Sequence, residues 1–358
     1  MTSSGTTSLI RKPLKKPEFV WHGRDMEVQL FVGNPPEEHT IPNQYIYLTN
    51  SHLNTQTSNV IYYFFLFGAK KKHPIAVFQL IPSDLATWIS PAKAPFGGIQ
   101  SIEKSLCDEI IFLLKCVEKI IGIKGGKRII IKTSPEKYDA DGHKKLYTCY
   151  KRLGYEPKEI FKNHLITVTD LPFFHIIRSA EKRRLNKCRN ADFTVILIEK
   201  PDIIEVYDFI RSVRDRLGYG LSLRFYEFEN LAETFPNELK VFGVYDHGKL
   251  IALTVTILVN HEILYNFLPA DVVEYRCYSP MVMLMDGVYQ YCQQMKISTI
   301  DLGISLDHLG NEKTSLIRFK ENLGGKECSK ITWQKNLDTQ TVIRAIEDCG
   351  TGFMSDDR

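Results

Sequence analysis

Apolar and polar positions across Tyr275–Gly325 predict a loop, a helix, a strand and a second helix in close succession. The first helix is predicted over Met281–Lys296, because apolar residues recur there every three or four positions and bury one face. Ser279 before it suits the N-cap, and Pro280 suits the first helical position. Backbone N–H groups at a helix start are unpaired and electropositive. This helix start therefore predicts a site for an anion or a developing oxyanion.

The same order of elements is predicted in an earlier part of the chain. The first series comprises a hairpin, a helix, a strand, a helix and a strand: Val60–Phe67 with Ile75–Leu80, Ile102–Ile121, Arg128–Lys132, Lys144–Leu153 and Leu165–Val168. The second begins with the strand, helices, hairpin and strand Phe193–Ile198, Asp202–Leu217, Arg224–Phe235, Leu239–Tyr245 with Leu250–Val259, and Glu262–Phe267. It closes, after the stretch above, with the strand Lys330–Lys335. We predict one fold used twice, with Arg128–Lys132 equivalent to Thr299–Ile304.

The predicted elements divide the 358 residues into two domains of ordinary size. We expect a disordered tail over 1–17, a first domain over 18–170, a linker helix over 171–192, a second domain over 193–336 and a tail over 337–358. The linker contains the basic helix Phe173–Arg189. The C-terminal tail is predicted to hold a short helix over Asp338–Cys349 and a loose end over Ser355–Arg358.

Composition is that of an ordinary globular protein, with 44% hydrophobic and 25% charged residues. The net charge of +4 is far weaker than the concentrated basic face typical of nucleic-acid binding. The cysteines are scattered and lack CxxC or histidine spacing, so we expect eight free thiols, no metal and a reducing cytoplasm. No signal peptide or apolar run long enough to span a bilayer is present, which predicts a soluble cytoplasmic protein.

The repeated element order resembles the GNAT acyltransferase fold, and the tandem arrangement resembles the Fem family of peptidyl and aminoacyl transferases and their uncharacterised bacterial relatives. The resemblance covers about 60–168 and 193–335 and is most specific at Ile300–Gly303, Ile317–Lys320 and Asn322–Gly324, which look like a Fem-type strand and Phe-Lys helix. It implies an α+β (mixed α/β) protein with two tandem GNAT-like domains, each a mixed sheet flanked by helices. The implied activity is N-acyl transfer to an amine on a small molecule or peptide. The implied donor is acyl-CoA, such as acetyl-CoA, or aminoacyl-tRNA.

The chain departs from the GNAT acetyl-CoA loop, Gln/Arg-x-x-Gly-x-Gly/Ala, whose amides hold pyrophosphate at a helix start. The second series has Arg276-Cys-Tyr-Ser-Pro-Met without those glycines, and the first has Lys93-Ala-Pro-Phe-Gly-Gly with its glycines offset. Two interpretations follow. One is an acyltransferase with its site in the second domain, favoured by the Phe-Lys motif. The other is a non-catalytic GNAT-like module that binds a peptide or glycan precursor, favoured by the missing glycines.

Two residues are candidates for catalysis. The Fem resemblance implies that Lys320 stabilises the oxyanion of acyl transfer, and the alternative is a lysine solvated on a helix face. The order of the elements predicts that Lys320 is exposed at a cleft shared with the start of Met281–Lys296. Asp301 is a candidate to act as a base or to orient the amine, and an aspartate in this setting could equally face solvent or cap a neighbour. Further residues are candidates for substrate binding: Arg276, Tyr278, Ser279, Ser305, Arg318, Lys93, Phe96, Gly97 and Gly98.

Overall fold

The computed structural model describes residues 15–57, 59–69, 71–102, 104–218, 220–221, 223–307, 309–337 and 353–354. The helix predicted over Asp338–Cys349 and the end Ser355–Arg358 lie outside these residues. The helices are α1 Asn50–Gln56, α2 Cys107–Ile123, α3 Ala140–Arg152, α4 Phe173–Ile176, α5 Ser179–Asn190, α6 Ile203–Arg216, α7 Phe225–Thr234, α8 Pro280–Met295 and α9 Thr314–Asn322.

The strands are β1 Phe19–His22, β2 Met26–Val32, β3 Tyr62–Gly68, β4 Ala76–Pro82, β5 Thr87–Ser90, β6 Gln100–Ser101, β7 Arg128–Lys132, β8 Glu156–Thr167, β9 Thr194–Ile198, β10 Leu239–Asp246, β11 Lys249–Asn260, β12 Ile263–Asp271, β13 Thr299–Ile304, β14 Lys326–Asn336 and β15 Phe353–Met354. They include consecutive runs, such as β3–β6 and β10–β12, as well as strands flanked by helices. The predicted mixed α/β architecture is confirmed.

From each end of the sheet toward its middle, the strands of the two series follow nearly the same order. The path is β15-β1-β2-β3-β4-β5-β7-β14-β8-β13-β12-β11-β10-β9, with β6 paired to β4. Two neighbouring pairs are parallel, β5 with β7 and β12 with β13, and the other pairs are antiparallel. β7 and β13 therefore occupy equivalent places, as the sequence predicts.

The two series exchange their last strands at the centre of the sheet. β14 ends the second series yet pairs with β7 of the first, while β8 ends the first series and pairs with β13 of the second. β8 and β14 also pair with each other. β8 has 12 residues and β14 has 11. Each of the two strands is hydrogen-bonded to a neighbouring strand along both of its edges. The expectation of a separate sheet for each domain is thereby corrected, because one sheet runs through both.

The linker is the second place where the structure differs from prediction. The single helix predicted over Phe173–Arg189 is interrupted at Ile177 and Arg178 and forms α4 and α5. The Arg178 N–H donates to the carbonyl of Asn322, at the end of α9, over 2.8 Å. This bond to another element replaces an intrahelical bond and breaks the helix. Among the described residues, no helix is long and apolar enough to cross a lipid bilayer.

One hydrophobic core contains residues from both series. Tyr45, Tyr47 and Phe96 from the first series pack with α6, α7 and the inner face of β10–β12. An ion pair of 2.6 Å between Lys93 and Glu227 joins the same first-series loop to α7. Burial of aromatic side chains is among the largest stabilising terms in a core. The two series therefore meet through shared apolar packing as well as through the exchanged strands.

Candidate active site

Lys320 is a buried lysine near the end of α9, with 6% of its surface exposed. Its ammonium Nζ donates to the carbonyls of Gly303 and Ile304, each over 2.8 Å. Burial lowers the pKa of Lys320 to about 8, and the nearby Asp301 carboxylate opposes part of that shift. The expectation of an exposed lysine is wrong. An ammonium has three N–H groups, so one remains for a further acceptor.

The carbonyls that hold Lys320 come from an irregularity at the end of β13. The pairing of β13 with β8 shifts register between Asp301 and Ile304. Gly303 at this point has φ 71°, a left-handed value that costs other residues about 1–2 kcal/mol. The bulge re-aims the backbone, so two consecutive carbonyls bind one ammonium. Ser305 follows at once and is buried, and its hydroxyl has no hydrogen-bond partner among the described residues.

Asp301 is buried and accepts three hydrogen bonds. Its Oδ1 accepts from Asn163 Nδ2 and from the Gly303 N–H, both over 2.7 Å. Its Oδ2 accepts from the Tyr138 hydroxyl over 2.6 Å. Tyr138 and Asn163 belong to the first series, so this carboxylate joins the two series and fixes the bulge. These contacts of Asp301 correspond to one of the roles expected from the sequence, in which the carboxylate caps neighbouring groups.

Several ionisable side chains surround the Asp301 carboxylate. Burial raises the pKa of Tyr138, Tyr47 and Tyr265 above the ordinary value, and the Asp301 charge adds to each shift. Burial also lowers the pKa of Lys330 to about 8, against the effect of Asp301. The result is a mostly buried group of tyrosines and lysines around one carboxylate, at the junction of the two series. Perturbed pKa values of this kind are frequent at functional sites.

Aromatic rings form one wall of this region. Phe96 contacts Tyr45, Tyr47 and Tyr138 edge to face, with ring centres 5.4, 5.0 and 5.6 Å apart. Tyr47 is fully buried, and its hydroxyl has no partner among the described residues. Buried hydroxyls are nearly always hydrogen-bonded. The unpartnered hydroxyls of Tyr47 and Ser305 are therefore candidates to bind a substrate or water.

His164 lies beside Lys320 and is a residue that sequence reasoning missed. It sits on the central strand β8 and is fully buried, with neither ring nitrogen hydrogen-bonded to a described residue. Burial, and then the neighbouring Lys320, lower the pKa of His164. The imidazole is therefore neutral near pH 7. A single histidine inside a strand gives no sequence pattern that would have identified it.

The contacts described for the turn before α8 do not include Lys320. Arg276 forms an ion pair with Asp271 over 2.9 Å, and Tyr278 packs on Phe193 at 5.1 Å between ring centres. Ser279 does not cap α8 with its side chain, contrary to prediction, because it has φ 60° and its hydroxyl donates to the Arg276 carbonyl. The contacts described for Lys320 involve the end of β13 instead. A cleft shared by Lys320 and this turn stays a prediction.

The loop of the first series is also engaged in internal contacts. Phe96 is buried in the aromatic wall. The Gly97 N–H donates to the Lys132 carbonyl over 2.8 Å, and the Gly98 N–H donates to Ser90 Oγ over 2.9 Å. A Cβ at Gly97 would lie 2.7 Å from Ser90 Oγ, so glycine is required by close packing. Both amides therefore already donate within the protein, and a role of this loop in substrate binding stays a prediction.

Arg318 lies in a surface cavity on the outer side of α9. The cavity has a volume of about 700 Å³ and is lined by Arg178, Arg318, Glu321 and Asn322 among others. It lies between the start of α5 and the end of α9. Lys320, Asp301 and Ser305 thus lie close together at the end of β13. Arg318, the turn before α8 and the loop at Gly97 make their described contacts with other residues.

Comparison with known proteins gives a family for the second series. Residues 177–320 match the family model described as the acetyltransferase (GNAT) domain. Among curated proteins, none matches this sequence significantly. The match ends at Lys320, so it includes Asp301, Ser305 and the Phe-Lys motif.

Comparison with solved structures covers nearly the whole chain. A crystal structure of FemX matches with a TM-score of 0.66 and 14% identity, over 88% of this chain and 100% of that one. A conserved protein of unknown function from Bacteroides thetaiotaomicron matches with a TM-score of 0.53 and 12% identity, over 83% and 93%. At these identities the similarity is one of fold. Residues 177–320 of this chain are therefore similar to the GNAT acetyltransferase domain, and the chain has a fold similar to that of FemX.

Proposed function

We propose that this protein is an N-acyltransferase that moves an acyl or aminoacyl group to an amine, with its chemistry at Lys320. The observation that carries the proposal is a buried ammonium held by two carbonyls at the end of β13. Burying a charge is costly, and groups whose pKa is shifted by burial are frequent at functional sites. The GNAT family match over 177–320 supports the same reaction class.

The reaction needs a group that stabilises negative charge on the donor carbonyl oxygen. The amine nitrogen forms a bond to the carbonyl carbon, the bond to the donor's oxygen or sulfur breaks, and the proton that the amine loses passes through solvent to that leaving oxygen or sulfur. In the intermediate, the third N–H of Lys320 donates to the oxyanion, and the unpartnered Ser305 hydroxyl is a candidate to assist. Asp301 acts by positioning, because its hydrogen bonds hold the bulge that orients Lys320.

The turn before α8 favours a donor other than acyl-CoA. Pro280 has no N–H, while the Ser279 and Val282 amides donate to the carbonyls of Arg276 and Ser279. The Arg276 guanidinium is paired with Asp271. Few groups therefore remain here for a pyrophosphate. Together with the Fem resemblance, this favours aminoacyl-tRNA as donor and a small molecule or peptide as the amine acceptor.

The test is a turnover assay with a panel of acyl-CoAs and aminoacyl-tRNAs, preceded by a screen for thermal stabilisation. With the active donor, Lys320→Met should lower kcat by ~10²–10³-fold, the usual loss for one oxyanion-stabilising group. Lys320→Arg should recover only part of the rate, because a planar guanidinium does not replace a compact ammonium. Lys326→Met, at an exposed lysine on β14, is the matched control and should keep full turnover. Unchanged turnover in folded Lys320→Met would refute the proposal.

A non-catalytic binding module is the second candidate. The internally bonded amides of Gly97, Gly98 and Ser279 favour it, because neither loop offers a free pyrophosphate site. Such a module should be stabilised by a peptide or glycan precursor without any turnover. Lys320→Met should then leave the affinity for that ligand unchanged, which distinguishes the module from the enzyme.

A further inference from the structure

Three possible metal ligands from separate elements converge on one face of the central strands. His164 on β8 and Glu327 on β14 are directly opposite each other in the antiparallel ladder. Glu321 comes from α9, one position after Lys320. One ligand atom from each of these three residues lies within 4.8 Å of the other two. The ligands are far apart in sequence, so spacing alone indicates no metal site.

The state of His164 is the second, independent observation. Its side chain is fully buried, and neither Nδ1 nor Nε2 has a hydrogen-bond partner among the described residues. Buried polar groups nearly always have a partner, and an exception calls for a ligand, an ion or water. The ring places a nitrogen toward both carboxylates, within the distance above. A cation at that point would supply the missing partner.

The surrounding charges are compatible with a cation. Glu321 and Glu327 are exposed, so each carboxylate can rotate toward the histidine. Lys162, on the same face of β8, pairs with Glu312 over 3.1 Å. Lys320 directs two of its N–H groups at the carbonyls of the bulge. Two ammonium groups, of Lys162 and Lys320, therefore lie near the two carboxylates, and each is held by other groups.

We propose that His164, Glu321 and Glu327 form a binding site for a divalent transition-metal ion, with Zn²⁺ as the reference ion. Zn²⁺ binds imidazole nitrogen and carboxylate oxygen at about 2.0–2.2 Å, and three protein ligands leave a fourth position for water or a substrate oxygen. Rotation of the two exposed glutamates brings their oxygens into this range. Carboxylates and one imidazole exclude the soft, thiolate-preferring ions.

The ion would join three elements at the middle of the molecule. It would hold α9 against β8 and β14, and so fix the helix that carries Lys320. It would also place a double positive charge beside that lysine. The site is independent of the acyl-transfer proposal, since its ligands are defined by geometry alone.

The test is calorimetric titration of ZnCl₂ into tag-free, chelator-treated protein kept reduced. We expect one site per chain, and Glu321→Gln and Glu327→Gln should each weaken binding by about tenfold or more, at least the loss seen when supporting groups of metal sites are removed. The control is Glu159→Gln, which changes an exposed carboxylate on β8, the strand that carries His164. This variant should bind Zn²⁺ as the wild type does. His164→Gln, checked for folding by circular dichroism, should also lose the site.

Co²⁺ substitution distinguishes this site from binding by thiols. Nitrogen and oxygen ligands give weak visible bands without the intense thiolate charge-transfer band, and these bands should disappear in both glutamine variants. Absence of a single Zn²⁺ site in the wild type would overturn the proposal. So would glutamine variants that bind Zn²⁺ within about twofold of the control, or a thiolate band that persists in them.

Discussion

The hydrogen bond between Tyr138 and Asp301 should contribute measurably to the stability of the whole protein. It joins the two series over 2.6 Å, and the acceptor is a buried carboxylate. Hydrogen bonds to charged groups typically contribute about 1.5–3 kcal/mol. Tyr138→Phe removes only the hydroxyl and keeps the ring packed on Tyr45 and Phe96. We therefore expect a loss of about 2 kcal/mol in the free energy of unfolding.

A double-mutant cycle isolates the interaction from packing changes. Asp301→Asn keeps the shape of the side chain but removes its charge, and the double variant Tyr138→Phe/Asp301→Asn closes the cycle. Residues in direct contact show coupling of about 0.5–3 kcal/mol, and this pair should lie in the upper half of that range. Urea unfolding of the four proteins gives the numbers. Tyr147→Phe, at an exposed tyrosine on α3, is the control and should change stability by less than about 0.5 kcal/mol.

Two results would refute this reasoning. A Tyr138→Phe variant as stable as the Tyr147→Phe control would show that the bond does not hold the two series together. An Asp301→Asn variant with wild-type stability and no turnover would assign Asp301 to the chemical step, contrary to its proposed positioning role.

Two further predictions concern Lys320 and the thiols. Burial depresses the pKa of Lys320 from 10.5 to about 8, so the unfolded chain binds more protons between these values and stability from this residue rises with pH there. From about pH 7.5 to 9.5, urea unfolding should show the wild type gaining about 1–2 kcal/mol relative to Lys320→Met, and parallel pH profiles would contradict the buried ammonium. The seven described cysteines are free, and Cys349 lies outside the described residues. Thiol titration of the denatured, unreduced protein should find all eight thiols, whereas six or fewer would indicate a disulfide.

The local elements of the fold could be predicted from the sequence with good accuracy. Arg128–Lys132 and Thr299–Ile304 have the predicted bounds, and α8 differs from its prediction by one residue at each end. These segments have strong apolar patterns, and their burial follows from residues close in sequence. β8 was predicted only over Leu165–Val168, because Glu156–Lys162 is mostly polar and mostly exposed.

The exchange of β8 and β14 could not be predicted, because pairing between strands is decided by hydrogen bonds far apart in the chain. The periodicity of apolar residues indicates which face of a strand is buried, but it does not indicate which strands lie beside it. In β14, Thr332 pairs with Lys132 on one side and with Glu159 on the other. No local pattern distinguishes this double pairing from an ordinary edge strand.

The candidate site was predicted in part. The family resemblance implied a role for Lys320, and Asp301 was a candidate from its place in the strand. The contacts of the buried Lys320 ammonium depend on the bulge at Gly303, for which a glycine inside a strand is the signal in the sequence. Tyr138 and Asn163 reach Asp301 from more than 130 residues away along the chain. Such contacts follow from the tertiary arrangement, so no motif indicates them.

The exchanged strands also set the order in which this chain can finish folding as it leaves the ribosome. β7 emerges early, yet its neighbour β14 is made only after roughly another 190 residues, because it begins at Lys326. Until then β7 has an open edge, which is a template for pairing with other chains. β8 likewise waits for β13. The first series should therefore need protection by a chaperone during synthesis, and two separately produced halves should be stable only when mixed.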